Sequence, residues 1–357
     1  MMLIMLGVLV LLAGGFLVWG WAVSFEPKPV SVVPVISDAE APKLKVGQSL
    51  KVLSWNIQFL AGKGHVFFFD LPGNKGPDEM PSQADIERTL PEVVRIIKDE
   101  NPDVILLQEV DEGARRTYHQ DQLQRILALL PKEYSQNTSA YYWKMPFVPH
   151  PRILGSVGMK LSIISRYKIN SALRYSLPQA PYPPVARWFQ FRRAMLEARL
   201  AVEDGSELVV MDAHLDAFIK TSELKKQETA FLAKRFAALD SLHTPWIFGA
   251  DMNMLPPGFY ARTPKAEQYW FRPDADAGPL YASFNALPTL AGLTGPDSLR
   301  NRTHFPNRPD ATGLDKTIDF MFYANSIAVD SFTVRQDDCL KISDHMPIIA
   351  RFRLHAI

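Results

Sequence analysis

Asn56, Glu109, His214, Asp251, Asn253, Asp344 and His345 are residues whose types and placement could serve one reaction. Each sits at the edge of an apolar run. Ser54-Trp55-Asn56 closes one, Gln108-Glu109 follows Val104-Ile105-Leu106-Leu107, and His214 ends Val209-Val210-Met211-Asp212-Ala213. Asp251-Met252-Asn253 follows Trp246-Ile247-Phe248-Gly249-Ala250, and Ser343-Asp344-His345 precedes the last run. In open α/β sheets, ligands bind beyond the carboxyl ends of strands. Carboxylate and amide oxygens without cysteine suit a hard ion, Mg²⁺ or alternatively Mn²⁺. Such an ion beside histidines polarises a phosphoryl oxygen and assists loss of an alkoxide. Taken singly, most of these residues have a plainer reading. Asn56 and Asp344 could cap loops, Asp251-x-Asn253 is a common turn pattern, and His214 or His345 could be satisfied core histidines. Glu109 is harder to set aside, because a buried unpaired carboxylate is costly.

The elements that must position these residues alternate short apolar strands with amphipathic helices, an α/β pattern. Strands are expected over 51–57, 103–109, 159–165, 193–202, 207–214, 245–251, 317–323 and 347–354. Continuous runs such as Val104-Ile105-Leu106-Leu107 suit strands buried on both faces. Helices are expected over 84–101, 118–130 and 222–241. Leu90, Val93, Val94 and Ile97 make an apolar stripe in the first of them. Stretches 58–82, 141–151 and 178–190 read as long loops, and loops of that length in a compact domain are usually functional.

At these residues the chain resembles the endonuclease/exonuclease/phosphatase superfamily, over residues 49–357. The pieces, in the family's order, are Leu53-Ser54-Trp55-Asn56, Leu107-Gln108-Glu109-Val110, Asp212-Ala213-His214-Leu215, Gly249-Ala250-Asp251-Met252-Asn253, Ile318-Asp319-Phe320 and Ser343-Asp344-His345-Met346-Pro347. The resemblance implies a four-layer α/β sandwich of two packed mixed β-sheets flanked by helices. It also implies roles. Glu109 would be the principal metal ligand, with Asn56 and Asp344 beside it or bridging through water. Asp251 and Asn253 would orient or activate the attacking water and hold a phosphate oxygen. His345 would contact the scissile phosphate, with Asp319 fixing its tautomer, and His214 would stabilise phosphoryl charge. Whether Asp251 or His345 takes the water's proton stays open. Ala213-His214-Leu215 is similar to the sphingomyelinase-like and phosphatase-like branches more than to the Asn-bearing DNA-repair pattern. The Gly62–Gly76 stretch, with Phe67-Phe68-Phe69, has no counterpart in the family. Arg192, Arg193 and Lys160 read first as solvated or stem-packed, and the aromatic groups Tyr141-Tyr142-Trp143 and Trp188-Phe189 as core or loop packing.

Of 357 residues, 47% are hydrophobic and 22% charged, enough for one large domain with a sizeable core. Lys plus Arg number 39 against 38 for Asp plus Glu, so net charge is +1 and the basic excess typical of nucleic-acid binders is missing. The one cysteine, Cys339, excludes an intramolecular disulfide and a cysteine-built zinc site. Residues 1–25 carry no charge; as a helix they span roughly 37 Å, against ~30 Å of hydrocarbon. Trp19 and Trp21 sit at the far end, suited to an interface. A single-pass anchor is expected, with a signal peptide ending near Ala22-Val23-Ser24 as the alternative. Residues 26–48, with Pro27, Pro29, Pro34 and Pro42, read as a semi-extended linker of ~25–30 Å reach, and 49–357 as the catalytic domain.

Together these readings describe a membrane-anchored, monomeric Mg²⁺-dependent hydrolase of a phosphoester, lipid-borne or small. A nuclease is the weaker alternative, and a catalytically silent tethered binding protein the other. The side of the membrane stays open.

Overall fold

The computed structural model describes residues 1–37, 40–218 and 221–354; residues 38–39 of the expected linker and 355–357 of the expected catalytic domain lie outside them. The chain opens with α1 (Met2–Val23), then β1 (Val30–Val32), β2 (Val35–Ile36) and β3 (Ser49–Asn56). There follow α2 (Gln83–Glu100), β4 (Val104–Asp111), α3 (Gln122–Leu129), β5 (Gln136–Val148), β6 (Gly155–Ser165) and β7 (Ile169–Ser176). Next come α4 (Pro184–Arg187), β8 (Ala194–Ala201), β9 (Glu207–His214), α5 (Ser222–Ser241) and β10 (Trp246–Asp251). The rest is α6 (Lys265–Gln268), α7 (Gly278–Ser283), β11 (Asn285–Leu287), α8 (Leu290–Thr294), β12 (Asp319–Tyr323), β13 (Ile327–Val334) and β14 (Ile348–Leu354).

Among the described residues these strands form two seven-stranded mixed sheets, β1-β7-β8-β9-β10-β12-β11 and β13-β14-β3-β4-β6-β5-β2. The sheets pack face to face with helices outside. At the centre, β3 pairs with β4 and β9 with β10 in parallel; the other pairings are antiparallel. Val104, Ile105, Leu106 and Leu107 are fully buried, as strands covered on both faces require. The sheets approach closely at Gly249, where a Cβ would lie 2.8 Å from Leu106 and 2.9 Å from Ser54.

Three expectations are corrected. Residues 141–148 are not loop but the second half of β5, paired with β6 through Tyr141–Lys160 and Trp143–Met159. Two register shifts break the alternation that would have marked the strand in the sequence. The helix expected over 118–130 starts only at Gln122, because Tyr118 and His119 adopt positive φ and Asp121 caps the Gln124 amide at 3.1 Å. Finally, residues 26–48 are no free connector. β1 adds to the edge of one sheet at β7, and β2 to the edge of the other at β5. Leu44 is fully buried and donates its amide to Ala201 O. The segment therefore stitches both sheets together, and its prolines suit edge positions that need no donor. Strands β7 and β13 were missed because much of each is exposed and lacks a continuous apolar run.

Between the sheets lies a polar contact that bears on stability. Gln108 Nε2 donates to Asp212 Oδ1 at 2.6 Å and to Ser54 Oγ at 3.1 Å. Burial pushes the Asp212 carboxyl well above the usual carboxylate range, which favours its neutral form in the fold. The unfolded chain releases this proton near pH ~4 while the folded chain keeps it. Its contribution is therefore fully present below that pH and declines as pH rises, by at most about 1.4 kcal/mol per pH unit. Asp212→Asn should flatten the fall of Tm between pH 5 and 8. Parallel Tm profiles for the two proteins would mean that Asp212 is ionised in the fold.

Candidate active site

The two sheets bring their chemistry to one edge. Asn56, Glu109, His214 and Asp251 end or nearly end β3, β4, β9 and β10, and Asp251 lies opposite His214 in register. Asp319 begins β12, which runs antiparallel to β10, so it faces Asp251 across the ladder at the same edge. Asp344 and His345 arrive on the loop before β14, where Trp55 Nε1 holds His345 O at 2.9 Å and Ser343 Oγ holds Asn56 O at 2.8 Å.

Asp251 Oδ2 is the meeting point. Asn56 Nδ2 donates to it at 3.0 Å, His214 Nε2 lies at 3.3 Å and His345 Nε2 at 3.5 Å. Its other oxygen accepts the Asn253 amide at 3.0 Å, which orients the carboxylate. His345 Nδ1 lies 2.9 and 3.0 Å from the two Asp319 oxygens. Burial opposes a charge on His345, but Asp319 and Asp251 outweigh it and hold the group up at about 10. An imidazole between two carboxylates is favoured in its charged form. His214 differs: burial, with help from Arg193, pushes it well below its usual value. The Tyr142 hydroxyl lies 3.1 Å from His214 Nδ1, and Nε2 faces Asp251.

Glu109 occupies a register break in β4, with φ 58°. Asn253 is likewise left-handed, at φ 47°. Non-glycine residues held there cost of order 1 kcal/mol each and cluster at working sites. The break re-aims the Glu109 side chain, 18% exposed, so that Oε1 lies 3.2 Å from Asn56 Nδ2 and 3.8 Å from His214 Nδ1. Burial raises its carboxyl to about 7, with Asp344 adding to the rise and Arg116 opposing it. Carboxylates crowded in this way fit a divalent cation, although Asn56 turns Nδ2 to the site and its oxygen accepts the Gln58 amide. Donor atoms of His304, Asp344 and His345 also lie within 4.8 Å of one another, as do those of Asp251, Asp319 and His345.

Several residues of the site escaped sequence reasoning. Tyr142, read as packing, touches His214. Arg193 is 2% exposed, lies over the Phe191 and Tyr142 rings, and lines the cavity above Asp251. Arg116 grips Asp111 with two bonds of 2.8 and 3.0 Å and sits 3.5 Å from the Phe59 ring centroid. The Gly62–Gly76 stretch sends Asp70 next to Asp344; burial first, then Asp344, raises its carboxyl to about 8. His304 lies in an irregular stretch where no strand pattern pointed to it. The site opens into a cavity of about 620 Å³ whose walls include Trp143, Phe189, Phe191, Phe218, Trp270 and Phe271.

A model of the endonuclease/exonuclease/phosphatase family matches residues 53–345. No curated protein matches the chain in sequence. Among solved structures, an endonuclease/exonuclease/phosphatase from Beutenbergia cavernae DSM 12333 superposes with a TM-score of 0.59 at 21% identity, covering 87% of this chain and 72% of its own. The human Nocturnin catalytic domain with bound sulfate gives 0.52 at 15% identity, covering 90% and 97%. D. rerio TDP2 complexed with single strand DNA product gives 0.52 at 16%, covering 86% and 99%. At these identities the likeness is one of fold.

Proposed function

Because this chain belongs to the endonuclease/exonuclease/phosphatase family, we propose that it hydrolyses a phosphodiester with a lipid-borne or small head group, by in-line attack of water at a Mg²⁺ site. Members of the family are generally hydrolases of phosphoester bonds. The observation that carries the proposal is the convergence of Asn56, His214 and His345 on Asp251 Oδ2 beside a cavity walled in part by aromatic side chains.

In this reading Glu109 is the principal metal ligand, with Asn56 and Asp344 beside it or bridging through water. The bound ion would neutralise the phosphoryl oxygen and the departing alkoxide. Asp251, oriented by Asn253 and Asn56, holds the attacking water and receives its proton. His345 is held toward its charged form by Asp319 and Asp251, which favours Asp251 as the acceptor. Backed by Asp319, it turns Nε2 to the phosphoryl group as a donor. His214, with Nδ1 facing Tyr142, offers Nε2–H to a second phosphoryl oxygen. Arg193 adds a fixed positive charge to the cavity wall.

The aromatic walls, the near-neutral net charge and α1, which is long and apolar enough to cross a membrane, favour a lipid-borne substrate over nucleic acid. The full chain, supplied with Mg²⁺, should turn over phospholipid vesicles or small phosphodiesters faster than nucleotides, sugar phosphates or abasic DNA. DNA cleavage as the dominant activity, falling steeply with salt, would replace this reading with a nuclease. Tight binding of a phosphodiester without turnover in Mg²⁺ or Mn²⁺ would identify a silent binding protein.

A further inference from the structure

The apolar helix is not attached to the domain through a loose tether. Its last turns lie on the domain itself. Gly20 packs against the Trp188 ring so closely that a Cβ would stand 2.8 Å from Trp188 Cε3. The Phe16 and Phe189 rings stack with centroids 6.1 Å apart and planes at 16°. Trp19 and Val23 join the apolar cluster of Met145, Val148 and Val157. Below the helix, Phe25 meets Tyr141 edge-on, and Glu26 pairs with Arg192 at 2.7 Å and Arg187 at 3.4 Å. Four residues later β1 is hydrogen-bonded into the sheet. Helix and domain are therefore fastened at both ends of a short stretch.

Length then sets the depth. α1 has 22 residues, about 33 Å, and the hydrocarbon core takes about 30 Å. No turn is left over to serve as a stalk. With α1 across a bilayer, Phe16 and Gly20 lie within or at the edge of the apolar layer. Whatever packs on them, Trp188 and Phe189 first, lies at the level of the head groups. The same face presents large apolar side chains to solvent: Phe147 is 39% exposed, Leu154 54% and Val185 41%. Lys144, on the first of these segments, is exposed, a charge that phosphate head groups attract, while Arg152 and Arg187 pair with Glu79 and Glu26. Scattered exposed apolar residues are ordinary, but a group contiguous with a spanning helix marks a membrane face.

Trp143, Val148, Ile153, Val157 and Phe189 belong both to the cluster under α1 and to the wall of the catalytic cavity. One layer of side chains separates the helix from the cavity. We propose that α1 is a rigid orienting element, which seats the 143–154 and 184–189 segments in the leaflet surface and sets the cavity to draw phosphoester lipids from that same leaflet. This rests on the hydrolase reading above and adds to it where the substrate enters and how its acyl part is sheltered.

The experiment uses the full chain in phosphatidylcholine/phosphatidylglycerol vesicles, compared with Gly20→Leu and with Phe16→Ala. Both variants keep an apolar helix but loosen its seat, and neither residue touches the reacting groups. Flotation with vesicles and turnover of a soluble aryl phosphodiester should match the parent. Turnover of vesicle lipid should fall by up to about 100-fold, the scale of a substrate misplaced by about 1 Å. A second measurement does not depend on activity: Val185→Cys carrying a polarity-sensitive dye should shift to the blue with vesicles, and the shift should shrink when Gly20→Leu is added. An unchanged ratio of lipid to soluble turnover in both variants would overturn the inference. So would the absence of a shift, or a mature chain beginning after residue 24. A shift without turnover of any phosphoester would uphold the seating and overturn the hydrolase reading instead.

Discussion

Glu109→Gln is expected to lower turnover at least ~100-fold, the scale of losses at metal sites when a ligand or its support is altered. The substitution keeps the shape of the side chain and its place 3.2 Å from Asn56 while removing the charge that would hold a hard divalent ion. Excess Mn²⁺, which accepts nitrogen and neutral oxygen donors more readily than Mg²⁺, should restore part of the loss. A thermal measurement separates this from unfolding. Burial and Asp344 raise the Glu109 carboxyl to about 7, so without metal the group contributes nothing favourable as an anion. In EDTA the variant should therefore melt no lower than the parent. The parent alone should gain Tm as Mg²⁺ is added, because only a state that binds the ion is stabilised by it. Turnover by the parent in EDTA close to that in Mg²⁺ would show that the hydrolytic model is wrong.

The second large effect concerns His345. Removing a positioned proton donor typically costs about 10²–10⁴-fold, and His345→Ala should fall in that range. Asp319→Asn should lose nearly as much, although Asp319 is not proposed to touch the substrate. Its two oxygens lie 2.9 and 3.0 Å from His345 Nδ1 and fix both the ring's orientation and its charge. Residues acting as a unit are non-additive, so the double variant should be little worse than His345→Ala alone. Additive losses in log rate would separate the pair and remove Asp319 from the positioning role.

What the chain's own order of residues determined was the set of strand ends. Val104 to Leu107 suits a strand buried on both faces, and a carboxylate two residues beyond such a run needs a partner. The same holds for Asp251 after Trp246 to Ala250 and for His214 after Val209 to Ala213. These signals are local. A strand's pattern reports how its own faces are covered, and a polar residue at its end reports an edge. Asp319 depended on resemblance, since only the antiparallel turn of β12 places the beginning of a strand at the edge where its neighbours end.

The tertiary structure decided everything that needed two distant segments to meet. Nothing in Tyr142 announces that its hydroxyl will lie 3.1 Å from His214 Nδ1, because its own strand shows only an irregular alternation broken by two register shifts. The placement of Asp70 beside Asp344 required a stretch without period to fold back over the cleft. The proline-bearing segment looked like a connector for the same reason. Two- and three-residue edge strands carry too little apolar pattern to be seen alone, and β1 and β2 exist because β7 and β5 offer them unpaired edges. The apolar composition of α1 determined that the helix could lie in lipid. Its seat on Trp188 and Phe189 depends on side-chain shape across a tertiary contact, a property that no spacing along the chain encodes.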